Sequence, residues 1–328
     1  MTVVRLVLST FSFLIVVGFT TTPARSEQTS TPTYANIAYA SAEPTQSRGH
    51  LLDIYLPAGQ GAQPTKPVPV LIWTGGSGWK GDNDKSKAGQ VAAQLNPAGL
   101  AVVGVSIRSS SQTTFPGQLY DIKAAIRWVR ANATRYGLDP NHIGIMGGSS
   151  GGWATAMAAV TGDRPGLEGK VGTLGVSSAV QVAVTFSAPT DFLPSSIVRY
   201  SSTSPASLLL GCLPQDCPKM AVAASPARYV TGKEPPIMIL HGELDQKVPN
   251  KQGEILFEAL EKACSEAVFI SLPNAGHGPS DSFLTNDAFR EGATFRSTSA
   301  SSCKAMGPTP FVPTWATVID FLNRYLRA

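Results

Sequence analysis

Short apolar runs alternate with amphipathic stretches along most of this chain. Continuous β-rich runs occur at "VPVLIW" (68–73), "LAVVGVSI" (100–107), "HIGIM" (142–146), "VQVAVTF" (180–186), "PIMIL" (236–240) and "AVFISL" (267–272). Two shorter pieces, "YANIAY" and "HLLDIYLP", precede them and read as an antiparallel opening of the same sheet. Between the runs, Ile122, Ala125, Ile126, Val129 and Ala133 fall on one stripe, which predicts a helix from Asp121 to Tyr136 with Gly137 as its stop signal. Trp315, Val318, Ile319 and Leu322 repeat that spacing after Pro313. Strands that are apolar on both faces, followed by helices apolar on one, predict an α/β fold: a mostly parallel sheet of about eight strands with helices on both faces.

No internal repeat interrupts this order, so residues 34–328 read as one domain. Its poorly patterned regions, near 161–180, 190–235 and 279–312, read as insertions, including a small cap. Residues 27–33 read as a flexible leader. Ahead of them Arg5 precedes an uncharged stretch, and Ala24 and Ser26 supply the small residues of an export cleavage site. Residues 1–26 therefore read as a secretory signal peptide. Their strongly apolar part, Leu6 to Phe19, is short for a ~30 Å bilayer core, so no stable membrane anchor is expected.

Export to a periplasmic or extracellular compartment changes how the cysteines read. Oxidising surroundings let an even set form bridges, and Cys212, Cys217, Cys264 and Cys303 make two. "GCLPQDCP" closes a tight proline-bearing loop, so the expected pairs are Cys212 with Cys217 and Cys264 with Cys303. The second pair would pin the 279–312 insertion as one wall of a site. Basic residues number 26 against 22 acidic ones, a net charge of +4, and they are scattered. That excludes the clustered footprint of a nucleic-acid binder.

The candidate chemistry lies in "GGSSGGW" (147–153), between the run "HIGIM" and the small-residue helix pattern "WATAMAAV". A G-x-S-x-G sequence at a strand-to-helix turn is the nucleophile elbow of serine hydrolases, whose acid and base follow later in the chain. Two registers fit, centred on Ser149 or Ser150. Of the four histidines, His50 and His142 precede the elbow and read as strand-edge and loop residues. His241 opens "HGELD" and reads as fixing that turn, which leaves His277, in "NAGHG", as the base able to follow an acid from "HGELD". Both Glu243 and Asp245 remain open as that acid. Asp121 reads as a first-turn helix acid favoured by the dipole.

From "LDIYLP" through "FPGQLYDIKAAIRWVRANATRYGLDPNHIGIMGGSSGG", "SAPTDF", "ILHGELDQKVP" and "AGHG", the chain resembles the α/β-hydrolase superfamily. More narrowly it is similar to BD-FAE-like and hormone-sensitive-lipase-like esterases, over nearly all of residues 34–328. In their pattern G-x-S-[AS]-G-G the nucleophile matches Ser149, the second carboxylate of H-G-x-x-D matches Asp245, and the base matches His277. The resemblance implies an acyl-enzyme mechanism on a small-molecule ester, without metal or organic cofactor.

It also implies an oxyanion hole made by the backbone N–H groups of Ser150, Gly76 and Ser77. Here the sequence departs from the family. Where H-G-G-G-W is usual, "GGSGW" (75–79) puts Gly75 in the histidine position and Ser77 among the glycines. Trp79 and Trp153 are candidates for the substrate pocket, although aromatic residues serve more often as core. The alternatives are an amidase or peptidase on the same triad, like arylformamidases and prolyl-oligopeptidase-type domains, and a non-catalytic binding protein with a hydrolase fold. Gly76, Gly78 and Gly81 also spell a dinucleotide-binding G-x-G-x-x-G, with Arg108 placed to meet a 2′-phosphate. Against that reading, the "DNDKSK" that follows is too polar to begin a helix packed on the sheet.

Overall fold

A computed structural model describes residues 28–59, 66–193, 200–278 and 280–327. The segment read as a signal peptide lies outside them. The sheet has ten strands: β1 (Tyr34–Ala38), β2 (Leu51–Tyr55), β3 (Val68–Thr74), β4 (Ala101–Val105), β5 (Leu138–Gly148), β6 (Val182–Phe186), β7 (Ile237–Gly242), β8 (Ala267–Leu272), β9 (Thr294–Thr298) and β10 (Met306–Pro310). Their order across the sheet is β1-β2-β4-β3-β5-β6-β7-β8-β9-β10. The six from β4 to β8 run parallel, and antiparallel pairs close both edges. Two strands beyond the expected eight, β9 and β10, come from the 279–312 insertion. They escaped the hydrophobic pattern because an edge hairpin buries little: β10 is exposed throughout.

The helices are α1 (Ala88–Leu95), α2 (Gly117–Asn132), α3 (Ser150–Val160), α4 (Pro205–Leu210), α5 (Pro218–Ala223), α6 (Lys251–Lys262), the single turns α7 (Ser282–Thr285) and α8 (Asp287–Arg290), and α9 (Trp315–Leu326). Alternation along the strands divides the core. Val70, Ile72, Ile143, Ile145, Ile237 and Ile239 face α2, α3 and α6, whereas Leu71, Trp73, Met146, Met238 and Leu240 face α1 and α9. Both faces are thus sealed, as a parallel sheet requires. Among the described residues no helix is long and apolar enough to cross a membrane.

Three local expectations change. Helix α2 begins at Gly117, so Asp121 lies inside it, fully buried, and is no first-turn acid. Its carboxylate takes Arg108 Nε at 2.9 Å, Arg108 Nη2 at 2.8 Å and His50 Nε2 at 3.0 Å. His50 is therefore a buried partner joining the β2 start to α2, not a free strand-edge residue, and Arg108 is consumed by an internal ion pair. The leader is also tied down: Ser30 N–H donates to Gly89 O at 2.9 Å and Thr33 N–H to Ile54 O at 2.7 Å. Both disulfides form, Cys212–Cys217 in the 190–235 region and Cys264–Cys303, which fastens the β9–β10 turn to the end of α6.

Candidate active site

The chain turns from β5 into α3 through a single residue, Ser149, with φ 54° and ψ −123°. Side chains rarely adopt this region, and it survives only where neighbours enforce it. Ser149 N–H donates to Phe186 O at 2.8 Å, and Ser149 O receives Trp153 N–H at 3.0 Å. A β-carbon on Gly151 would lie 2.1 Å from Thr74 O, so glycine alone fits where the loop after β3 crosses the new helix. These constraints throw Ser149 Oγ clear of both elements, at the carboxyl ends of the parallel strands. They also separate the two serines, for Ser150 begins α3 and its side chain turns beneath the β3 loop.

The turns after β7 and β8 supply the partners. His277 Nε2 stands 3.0 Å from Ser149 Oγ, and its Nδ1 stands 2.7 Å from Asp245 Oδ2. Asp245 is buried and its Oδ1 accepts the Lys247 and Val248 N–H groups at 2.9 and 2.8 Å. Burial by itself raises the pKa of this carboxyl. The nearby His241 imidazole and the hydrogen bonds from His277 and the Val248 N–H outweigh that, holding it well below the usual carboxylate range. Glu243, the other carboxylate of "HGELD", is exposed and accepts a bond from Ser271 Oγ at 2.7 Å, away from His277. His241 does more than fix its turn. Fully buried, it puts Nε2 2.8 Å from Val248 O and 3.6 Å from Asp245 Oδ2. The four-residue step in "HGELD" is the sequence signal for that second imidazole.

On the opposite side, the loop after β3 lies directly against the serine. A β-carbon on Gly76 would fall 2.5 Å from both Ser149 Cβ and Gly148 O. The Gly76 and Ser150 N–H groups have no acceptor among the described residues, and both adjoin Ser149. Ser77 differs from the expectation: its N–H donates to Ser150 Oγ at 3.0 Å, as does that of Gly78. The Ser150 hydroxyl, fixed at the first position of α3, is the acceptor within reach and takes the bond that the resemblance assigned to an oxyanion.

A cavity of about 1080 Å³ opens over Ser149. Trp79, Phe192 and Tyr200 form an aromatic side, with successive ring centroids 6.1 and 6.5 Å apart. Asp82, Asn83, Lys87 and Gln90 give a polar side. Trp153 is no part of the wall: it is fully buried, edge-on to Trp79, and donates its Nε1–H to Ala224 O at 2.7 Å. Of the described residues of the 279–312 insertion only Ser280 to Ser282 line the cavity, with Asp281 accepting from Trp315 Nε1 at 2.7 Å. The disulfide pins the distal hairpin. "DNDKSK" does lead into a helix on the sheet, through a 3-10 turn (Asp84–Lys87) running into α1. What removes the dinucleotide reading is Arg108, which already holds Asp121.

These elements match known proteins closely enough to place the chain. Residues 52–260 match BD-FAE. The chain belongs to the BD-FAE family. It is 33% identical over 233 residues to Esterase LipQ of Mycobacterium tuberculosis, covering 70% of this chain and 54% of LipQ. It thus spans about half the length of the curated relatives it matches. Among solved structures, a truncated carbohydrate esterase from gut microbiota superposes with a TM-score of 0.75 at 31% identity, over 93% of this chain and 99% of that one. A bifunctional GH43-CE of Bacteroides eggerthii gives a TM-score of 0.72 at 32% identity, over 92% of this chain and 38% of that one. The BD-FAE chain described here has the α/β-hydrolase fold of these esterases.

Proposed function

We propose that this BD-FAE protein is an exported serine esterase that cleaves carboxylic esters, with acyl groups carried on carbohydrate as its substrate class. The observation that carries the reading is the relay from Ser149 Oγ to His277 Nε2 and from His277 Nδ1 to Asp245, at 3.0 and 2.7 Å. Ser149 Oγ attacks the ester carbonyl while His277 takes its proton, and Asp245 holds the imidazole's tautomer and stabilises its charged form. Charge developing on the carbonyl oxygen meets the N–H groups of Gly76 and Ser150. His277 then protonates the departing alcohol, and the acyl group stays on Ser149 until water, deprotonated by His277, releases it.

Carbohydrate as the alcohol part is supported by the likeness to a carbohydrate esterase and by the polar cavity wall, which offers hydrogen-bonding groups to hydroxyls. The composition of residues 1–26 and two disulfides support export. The test is labelling of the mature protein with a fluorophosphonate, peptide mapping of the adduct, and a panel of p-nitrophenyl esters, acetylated oligosaccharides and peptide amides. Label on Ser149 with ester turnover and inert amides is expected. Turnover of amides in place of esters would make the site a peptidase, and an unlabelled, inert protein would make it a binding module.

A further inference from the structure

The loop that lies against Ser149 departs from its family pattern at Gly75 and Ser77, and both help to hold it. Its four residues, Gly75 to Gly78, are fastened at three points. Gly75 N–H donates to Asp84 O at 2.9 Å, and a β-carbon at Gly75 would fall 2.7 Å from that oxygen. A histidine at this position is thus sterically barred, and with it any support such a side chain would lend. Ser77 Oγ receives Gly81 N–H at 3.2 Å. Ser150 Oγ, 3% exposed at the base of α3, receives the N–H groups of Ser77 and Gly78. Of these four, Gly76 alone has no acceptor for its N–H among the described residues.

We propose that Ser77 and Ser150 are positioning residues that clamp this loop from its two sides through their hydroxyls, Ser77 toward Gly81 and Ser150 toward α3, so that the Gly76 N–H is pre-aimed at the oxyanion. The inference rests on the esterase reading. Its physical basis is that a donor stabilises the transition state only as far as it is already oriented when charge appears. A loop rich in glycine has the backbone freedom to lose that orientation.

The experiment measures kcat and KM on a p-nitrophenyl ester, together with the Kd of a boronic-acid transition-state analogue, for wild type, Ser150→Ala, Ser150→Thr and Ser77→Gly. Ser150→Ala and Ser77→Gly are each expected to lower kcat about tenfold or more and to weaken the boronate similarly, with KM within about threefold, because oriented donors act on the transition state. Ser150→Thr keeps the hydroxyl and is expected to restore most of kcat. The double variant should lose less than the product of the singles, since both act on one loop. Unchanged kcat and boronate affinity in both single variants, or a loss confined to KM, overturns the clamp. Should Ser150→Ala fail to fold, Ser77→Gly carries the same test. A wild type that turns over no ester and takes no fluorophosphonate overturns the underlying function instead, and an active wild type with indifferent variants overturns the clamp alone.

Discussion

The two sides of Ser149 are built on different principles. On the His277 side, each group is a titratable side chain anchored at the end of a buried parallel strand, and the pattern is the one its family repeats. On the Gly76 side, the groups proposed to act are backbone N–H donors on a loop held by two hydroxyls, one of them Ser77, where the family has glycine. Charge is supported by charge and by two imidazoles on the first side, and by neutral hydrogen bonds on the second. The first arrangement tolerates little change in chemistry and the second little change in geometry.

That contrast is sharpest for the nucleophile pair. Ser149→Ala is expected to abolish fluorophosphonate labelling and to cut kcat by roughly 10³-fold or more, because it removes the bond-forming atom. Labelling that survives in Ser149→Ala and disappears in Ser150→Ala would reverse the assignment of the two sides. Next come the two carboxylates of "HGELD". Asp245→Asn should lower kcat by roughly 10³- to 10⁴-fold while Glu243→Gln stays within about threefold, read by steady-state kinetics on the same ester. Equal losses would show that burial did not choose between them.

The disulfides extend the comparison from chemistry to scaffold. Cys264–Cys303 closes 39 residues of chain and Cys212–Cys217 only 5. By loop-closure entropy, losing the first should cost about 4 kcal/mol and losing the second about 2 kcal/mol. Denaturant titration of Cys303→Ser and Cys212→Ser, each with its partner also replaced, checks the order, and a larger cost at Cys212 would contradict it.

The smallest effect concerns Asp84, whose backbone oxygen holds the loop beside Ser149. Burial raises its carboxyl from its ordinary value to about 7, so the folded protein keeps a proton that the unfolded chain has already released. Stability from this group is complete below the unfolded value and is lost as pH rises through about 7. Asp84→Asn should therefore flatten the fall in Tm between about pH 5 and 8 relative to wild type. Parallel Tm profiles would remove Asp84 as the titrating group.

Much of this was legible in the linear pattern. Strands buried on both faces cannot hide their composition, which is why β3 to β8 were visible. The elbow was visible because Gly151 has no room for a side chain, and His277 because a base must follow the acid in the chain. The disulfide pairing followed from one short loop and the arithmetic of four cysteines.

Other features had no local signature. The β9–β10 hairpin is exposed at the sheet edge, so no burial requirement marks its residues. Asp121, Arg108 and His50 are far apart in sequence, and only the packing of α2 on the sheet made them one buried cluster. Trp79 and Trp153 look alike as letters, but one reaches the cavity and the other points into the core. The chain by itself determined the fold class, the glycine-framed strand-to-helix turn at 147–153 and the place of His277 after the last parallel strand, because each rests on local periodicity or on chain order. The residues alone left two serines and two carboxylates open and the family resemblance pointed to Ser149 and Asp245; the tertiary structure set which serine faces the histidine, which carboxylate adjoins it, and which N–H groups of the described residues lack an acceptor. Those choices depend on where a hydroxyl or an N–H finds its nearest partner in space, and those partners lie tens of residues away along the chain.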